Sequence, residues 1–589
     1  MTEDWIQQVG KAGLIVSRRE LMRLLGVSAG AVTLGGLLAA CGTDDDPTAS
    51  PDSTPNATTG AAALPTAAGA EATEPAGDAT AASTASDTQP MAADVTTGSA
   101  DRPVLRVGVQ ALPVVLDPYQ ELGNVGTRVT YAIYDHLLER NFPNSDPPGI
   151  GKDVLPMIAE NWERLDDLTL ELTLRQDVIF HNGELLTAED VKFTFDRILI
   201  DTPDELVDAL GYISTISEVQ VVDDYTVRLL TELPDPLLEI RLTSWCSWIM
   251  PKAYYEEVGF EEFALAPVGT GPFKFVEMRP DERLVLESHD DYFGGLPTAQ
   301  RVEFIVIPEV AGRVAALVSG EVDIITNIPP DQVSSLQGAD GAVVRSVPLA
   351  NCHVLTYNTR HPTMTNKLFR QALNLGIDRE LLVEALWGGN AVLMHGHQFP
   401  EYGEMFNPER PLTPYDPERA EELLEESGYA GDEIVFRTNA DYYTLGADAA
   451  QAIVQMWQDI GVNARVEVLD DVTYDGVENV QITNWSNSSF VADPDGAFWL
   501  RWGAPTAVQR DKWTPEDPRF NELGEQARQT RDFEFRFNAY QEMLDIWEDE
   551  APGTVLYIPI ENYGVRSDLF WLPYSFYYMD LRPDNLIYE

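Results

Sequence analysis

Residues 101–589 predict a mixed α/β body divided into two or three lobes. Three observations carry this reading. Period-two apolar runs and capped helical segments follow one another along the whole stretch. No repeat period appears, which excludes solenoids and propellers. The body also holds about 490 residues, more than one hydrophobic core organises.

The elements follow in order. VLRVGV at 104–109 alternates and reads as a strand, and 129–139 reads as a helix. LTLELTLR at 168–175 alternates without a break. His181-Asn182-Gly183 then makes a tight turn, because Asn-Gly tolerates the positive φ angles a short hairpin needs. Thr187 is placed as an N-cap with Asp190 three residues on. It opens a helix to 199 that turns Val191, Phe195 and Ile198 inward. Strands follow at 225–230, 284–287 and 302–307, and a helix at 310–319 is stopped by Gly320. Residues 369–375 are helical, and Asp378 caps a helix over 379–386. Asp416-Pro417 sets an N-cap before a proline at the first helical position, and Gly428 closes that helix. The last helices, 448–460 and 538–548, lead into strands at 462–468 and 555–560.

The first hundred residues differ in kind. Arg18-Arg19 precede an uncharged run at 24–40, rich in Ala, Gly and Leu and short for a bilayer span. It ends Leu38-Ala39-Ala40-Cys41-Gly42. The paired arginines resemble a twin-arginine export signal, and the final string resembles the lipobox of bacterial and archaeal lipoproteins. Residues 1–40 are therefore expected to be a signal peptide, with Cys41 as the lipidated residue. Residues 41–100, nearly all Ala, Thr, Asp, Pro, Ser and Gly, cannot bury enough apolar surface to order themselves and read as a disordered linker. Gly26-Val27-Ser28-Ala29-Gly30 matches a hydrolase elbow in letters only. It lies in the segment expected to be removed, outside any sheet.

Acidic residues outnumber basic ones 96 to 39, a net charge of −57 that repels phosphate backbones and excludes nucleic acid as a partner. Lysine is scarce. Two readings of this acidity stay open, a solvated coat suited to salty surroundings and an ordinary acidic exported protein. The three cysteines cannot build a disulfide framework. With Cys41 lipidated, Cys246 and Cys352 either pair or remain buried thiols.

The body also carries a collinear set of strings: Leu116-Asp117-Pro118, YDHLL at 134–138, IAENWE at 158–163, FHNGE at 180–184 and LTAEDV at 186–191. PVGTGPF at 267–273, YFGG at 292–295, AALVSGEVD at 315–323, RQALN at 370–374, Ile377-Asp378-Arg379, YDPERA at 415–420 and Asp493-Pro494-Asp495 complete it. In this order they resemble the family 5 (peptide/nickel type) extracellular solute-binding proteins over nearly all of 101–589. The resemblance implies a two-lobed, periplasmic-binding-protein-like α/β fold of class II type with an extra subdomain in lobe 1. Lobe 1 is expected over 101–345, with the inserted subdomain at about 120–265. Lobe 2 is expected over 346–555, and 556–589 should return to lobe 1. It implies closure around a solute, delivery to the permease subunits of an ABC transporter, a monomer, and attachment to the membrane through the lipid.

Within that frame Asp117, Asp135 and Asp190 read as structural. Gly269-Thr270-Gly271-Pro272 lacks the spacing of a phosphate loop and reads as a rigid turn. His395-Gly396-His397 has no companion ligand set, so neither a protein-held metal nor a cofactor is expected. The expected ligand contacts are Tyr131, Trp245, His397, Phe399 and Tyr443, together with Trp485, Asn487, Phe490 and Asp493 of the segment before the Asp-Pro-Asp string. Aromatic faces suit sugar rings, apolar side chains and cations. Trp499 and Trp502, three apart on a helix, read as core. Peptide-binding relatives place an aspartate shortly after the matching tryptophan, to meet the peptide's amino group. Here Ser486-Asn487-Ser488-Ser489 follows Trp485, so that charge is missing or displaced. A peptide and a neutral solute such as an oligosaccharide both remain open, as does a metal chelate. A secreted hydrolase would need a nucleophile–base pair or a metal set, and neither is found. An envelope chaperone or sensor on the same scaffold is the third reading.

Overall fold

The computed structural model describes residues 102–588 except 121–122, 152, 202–206, 441–442, 470–479 and 505. The expected signal peptide, Cys41 and the linker lie outside the described residues.

Two sheets organise the body. The first has seven strands in the order Ala342–Pro348, Ile560–Arg566, Ile324–Ile325, Val104–Val109, Arg301–Val306, Arg283–Ser288 and Phe273–Arg279. Val104–Val109 sits near its middle, parallel to both neighbours, and its inward Leu105 and Val107 are fully buried. The second sheet has five strands, ordered Ala464–Leu469, Ile434–Asn439, Ile482–Ser488, Asn351–Tyr357 and Gly553–Tyr557. Every residue of Asn351–Tyr357 is buried, and successive side chains serve opposite faces. Leu355 and Tyr357 join one core with Phe369, Leu382, Ile453 and Trp457. Cys352 and Val354 join another with Trp499, Trp502, Phe520 and Trp547. Helices thus cover both faces of this sheet.

The chain passes from the first sheet to the second between Pro348 and Asn351, and returns between Tyr557 and Ile560. The two crossings run side by side, with the Leu349 amide donating to the Pro559 carbonyl at 3.0 Å. A smaller four-stranded antiparallel sheet, Ala159–Asp166, Thr169–Leu174, Thr226–Thr231 and Ile216–Asp223, stands apart from both sheets.

Most elements stand where the pattern places them. The Thr187–Asp190 capping box opens Ala188–Asp196, and its helical turn continues through the wider Arg197–Asp201. Gly320 ends Val310–Ser319 at φ +78°. Two elements differ. The strand expected at 555–560 ends at Tyr557 and gives way at Ile560 to a strand of the first sheet. The helix expected at 129–139 is Asn124–Ile133, followed by the short strand Leu138–Arg140. Tyr134 is already extended, and Asp135 turns inward to accept from Thr270 Oγ1 at 3.0 Å and from Arg582 Nη2 at 2.6 Å. The same tertiary contact explains the turn at 269–272. A Cβ on Gly269 would stand 2.1 Å from the Ile133 carbonyl oxygen, and one on Gly271 would stand 2.6 Å from that of Ala132.

Candidate functional site

The two sheets face each other across a crevice. On the first lobe its wall is built from residues just past strand ends: Gln110 and Ala111 after Val104–Val109, Pro308 and Glu309 after Arg301–Val306, and Asn327 after Ile324–Ile325. The second lobe contributes Asn439 and Leu469, which end their strands, and residues 443–448 entering the helix Gly446–Asp459. The crevice opens to solvent and has a volume of about 820 Å³, the size of a small organic molecule's site. A crevice at the carboxyl ends of strands is where open α/β sheets place their ligands.

The first-lobe side is stiffened by charge. Arg128 and Glu561 form an ion pair of 3.1 Å with both side chains under 5% exposed. Glu561 also accepts from the Asn327 amide at 3.0 Å. Burial raises its carboxyl, with Arg128 opposing. Arg313 donates to the carbonyls of Ile307, Pro308, Thr326 and Asn327, tying the wall loops together. Asn327 is held at φ +53°, and its buried Oδ1 has no hydrogen-bond partner.

An aromatic seam runs through the first lobe's core and takes in Phe490 at its edge. His136, Tyr131, Tyr578, Phe576, Phe490 and Trp245 follow one another with ring centroids 4.4–6.0 Å apart. Phe490 comes from the second lobe's loop and the others from the first lobe. Arg140 lies 5.0 Å over both Phe142 and Phe576, and its Nη1 reaches the Ser489 carbonyl at 3.5 Å. Several buried polar atoms lie near the seam without hydrogen-bond partners. Tyr131 Oη, both nitrogens of His136, Nε1 of Trp245 and Trp248, Asn351 Oδ1 and Glu401 Oε1 are all buried without partners.

The structure disperses the nine expected contacts. Tyr443 lines the crevice, with its ring 5.3 Å from that of His353. Burial lowers His353 to about 4, so it stays a neutral imidazole. Tyr131, Trp245 and Phe490 belong to the seam. His397 and Asn487 meet each other at 2.7 Å behind the second sheet, where burial lowers His397 to about 4, and Phe399 packs beside them fully buried. Trp485 faces the same side, under the guanidinium of Arg501 at 5.1 Å and the Lys512 ammonium at 5.7 Å. Asp493 is paired with Arg536 at 2.7 Å. Asp495 is paired with Arg241 at 2.7 Å and Arg528 at 2.8 Å. Trp499 and Trp502 are core residues. Cys246 and Cys352 are free, buried thiols, and burial pushes Cys246 up to about 11. No cluster of three or more His, Cys, Asp or Glu able to hold a metal occurs among the described residues. Sequence reasoning missed Gln110, Asn327 and Arg313. Their signal was position, immediately beyond or between expected strands and helices, rather than residue type.

Two α/β lobes that share a crevice at their strand ends, joined by paired crossings, define a two-lobed solute-binding protein as the class. The comparisons agree. The model of the bacterial extracellular solute-binding proteins, family 5 (middle), matches residues 153–507. The dipeptide-binding protein of Escherichia coli K12 is 26% identical over 436 residues, covering 69% of this chain and 81% of the relative. The glutathione-binding protein GsiB of Pectobacterium atrosepticum is 25% identical, covering 75% and 86%. Among solved structures, the ABC transporter-associated periplasmic binding protein DppA of Helicobacter pylori, in complex with the peptide STSA, superposes with a TM-score of 0.73 at 24% identity, covering 83% of this chain and 99% of that one. The chain belongs to the family 5 bacterial extracellular solute-binding proteins. These are extracytoplasmic proteins that capture solutes for ABC transporters, and the family is one of transport proteins rather than enzymes. No helix among the described residues is long and apolar enough to cross a membrane.

Proposed function

We propose that this chain captures a short peptide or peptide-like solute between its lobes and hands it unchanged to an ABC permease. It does so as a monomer tethered outside the membrane through lipid on Cys41. The observation that carries the ligand reading is the crevice. Apolar Pro308 and Leu469 stand there beside polar Gln110, Asn327 and Asn439, and the buried Asn327 Oδ1 lacks a partner. An apolar wall with convergent donors and acceptors suits a molecule made of amides and side chains. The paired crossings at 348–351 and 557–560 serve as the hinge.

A second reading, a neutral oligosaccharide, is favoured by one observation. Both aspartates after Trp485 are already neutralised by arginines, so neither offers a charge to a peptide's amino group. Thermal shift with a library of di- to tetrapeptides beside a panel of oligosaccharides separates the two. A ligand at a hundred times its Kd should stabilise the fold by about 2.7 kcal/mol. Mass spectrometry of the recovered ligand should find it intact. Stabilisation by sugars alone transfers the chain to the second reading, and a chemically altered ligand ends both. For the tether, palmitate labelling should mark the wild type and not Cys41→Ser.

A further inference from the structure

We propose that the segment Ser489–Val491 is a strap that pins the second lobe to the first beside the hinge, so that the solute-free protein rests with its lobes together. This rests on the hinge assigned above and is independent of the ligand class. The segment leaves the second sheet at the end of the strand Ile482–Ser488. The Ser489 amide donates to the Ala350 carbonyl at 2.7 Å, at the first of the two crossings. Arg140 Nη1 of the first lobe reaches the Ser489 carbonyl at 3.5 Å, and Ser489 Oγ donates to the Val491 carbonyl at 3.0 Å. The backbone is therefore held on both sides just where two apolar residues follow.

Both of those residues complete the core of the other lobe. Val491 is fully buried in the first lobe's apolar cluster, which also holds Val347 and Ala350. The Phe490 ring lies 5.3 Å from that of Phe576 and nearly parallel to it, at 18°. Tyr212 and Trp245 meet the same ring edge-on at 5.9 and 6.0 Å. Separation of the lobes here would return both side chains to water and strip three aromatic rings of a partner. Beyond the strap the chain is tied to both lobes. Asp493 pairs with Arg536 of the second lobe at 2.7 Å, and Asp495 with Arg241 of the first at 2.7 Å. The segment thus acts as a third, non-covalent crossing beside the two covalent ones. All of its contacts are made by the chain's own groups, so they favour the closed form with or without a solute. Loss of the strap lowers the closed fraction, and the apparent affinity for any solute falls by the same factor.

The test uses the full chain, freed of bound material by unfolding and refolding. Small-angle X-ray scattering compares wild type, Phe490→Ala and Phe490→Leu. Phe490→Ala should show a larger radius of gyration than wild type, and Phe490→Leu, which keeps an apolar side chain, should stay near wild type. Hydrogen exchange supplies a second reading. In wild type, residues 489–491 should exchange as slowly as the strand Val104–Val109. In Phe490→Ala, exchange should quicken at 489–491 and at 574–579 and remain slow at 104–109. Identical scattering by wild type and a folded Phe490→Ala would overturn the inference. Fast exchange at 489–491 in wild type would overturn it equally, and that measurement needs no variant to fold. Should Phe490→Ala lose protection at 104–109, it has unfolded, and the wild-type exchange decides alone. No solute enters either measurement, so a failure of the peptide reading is read separately, from the ligand panel.

Discussion

At the scale of single residues, burial rather than pairing sets most of the unusual protonation states. His353 and His397 are lowered to about 4 and His181 to about 3, each chiefly by burial. A depressed folded value means stability that is whole above the unfolded value of 6.5 and is lost as pH falls toward 3–4. Glu401 acts oppositely. Its value is raised, so its contribution is whole below 4.5 and is lost as pH rises through about 7. Urea midpoints of the solute-free protein should therefore fall on both sides of a maximum. Glu401→Gln should flatten the alkaline limb and leave the acid limb unchanged. Unchanged slopes on the alkaline side would remove Glu401 from this account. A second prediction concerns Gly269. The methyl group of Gly269→Ala would meet the Ile133 carbonyl oxygen at 2.1 Å, so backbone must move, and the variant should lose about 1–3 kcal/mol in urea unfolding. Site residues were the least legible part of the sequence. Trp485 and Asn487 alternate on one strand, and alternation states that they share a face without stating which face meets the crevice. That choice was made by the helices of residues 495–550 packing behind the sheet, a contact between segments far apart in the chain.

At the scale of elements, local chemistry was informative wherever a cap or stop residue worked alone. Asp378 accepts from the Leu381 amide at 2.8 Å, and Asp416 accepts from the Arg419 amide at 2.9 Å. Asp378→Ala and Asp416→Ala should each cost about 1 kcal/mol, measured by thermal or urea unfolding. The helix expected at 129–139 shows the limit. Its apolar spacing runs on through Leu137 and Leu138. Yet Asp135 is drawn into a buried arrangement with Thr270, Tyr292 and Arg582, and the chain leaves helical geometry one residue earlier. A partner 447 positions away overrode a local period.

At the scale of the whole molecule, two kinds of charge act. Buried pairs lock the lobes locally. Arg241 of the first lobe, fully buried, meets Asp495 of the second and Asp235 of its own. Arg241→Met should leave two buried carboxylates short of their shared cation and destabilise by about 3–5 kcal/mol, with calorimetry as the check. The net charge of −57 acts at longer range. Screening relieves self-repulsion, so the melting temperature should rise along a potassium chloride series. A flat series would mean that the acidic coat carries no such strain. The α/β class and the family resemblance were both legible because each rests on many weak local signals in fixed order. The lobe contact was not, because it is written in residues adjacent only after folding.

The order of strands in the first sheet has a consequence for birth of the protein on the ribosome. Ile560–Arg566 lies between Ala342–Pro348 and Ile324–Ile325, and it is synthesised after the six other strands of that sheet. Until those residues emerge, the nascent first lobe has a gap in its sheet, and Asp135 waits for Arg582. The second sheet, drawn wholly from 351–557, has every strand available before that moment. A module translated later can thus mature sooner, and a nonsense codon at positions 558–566 would release a finished half joined to an unfinished one.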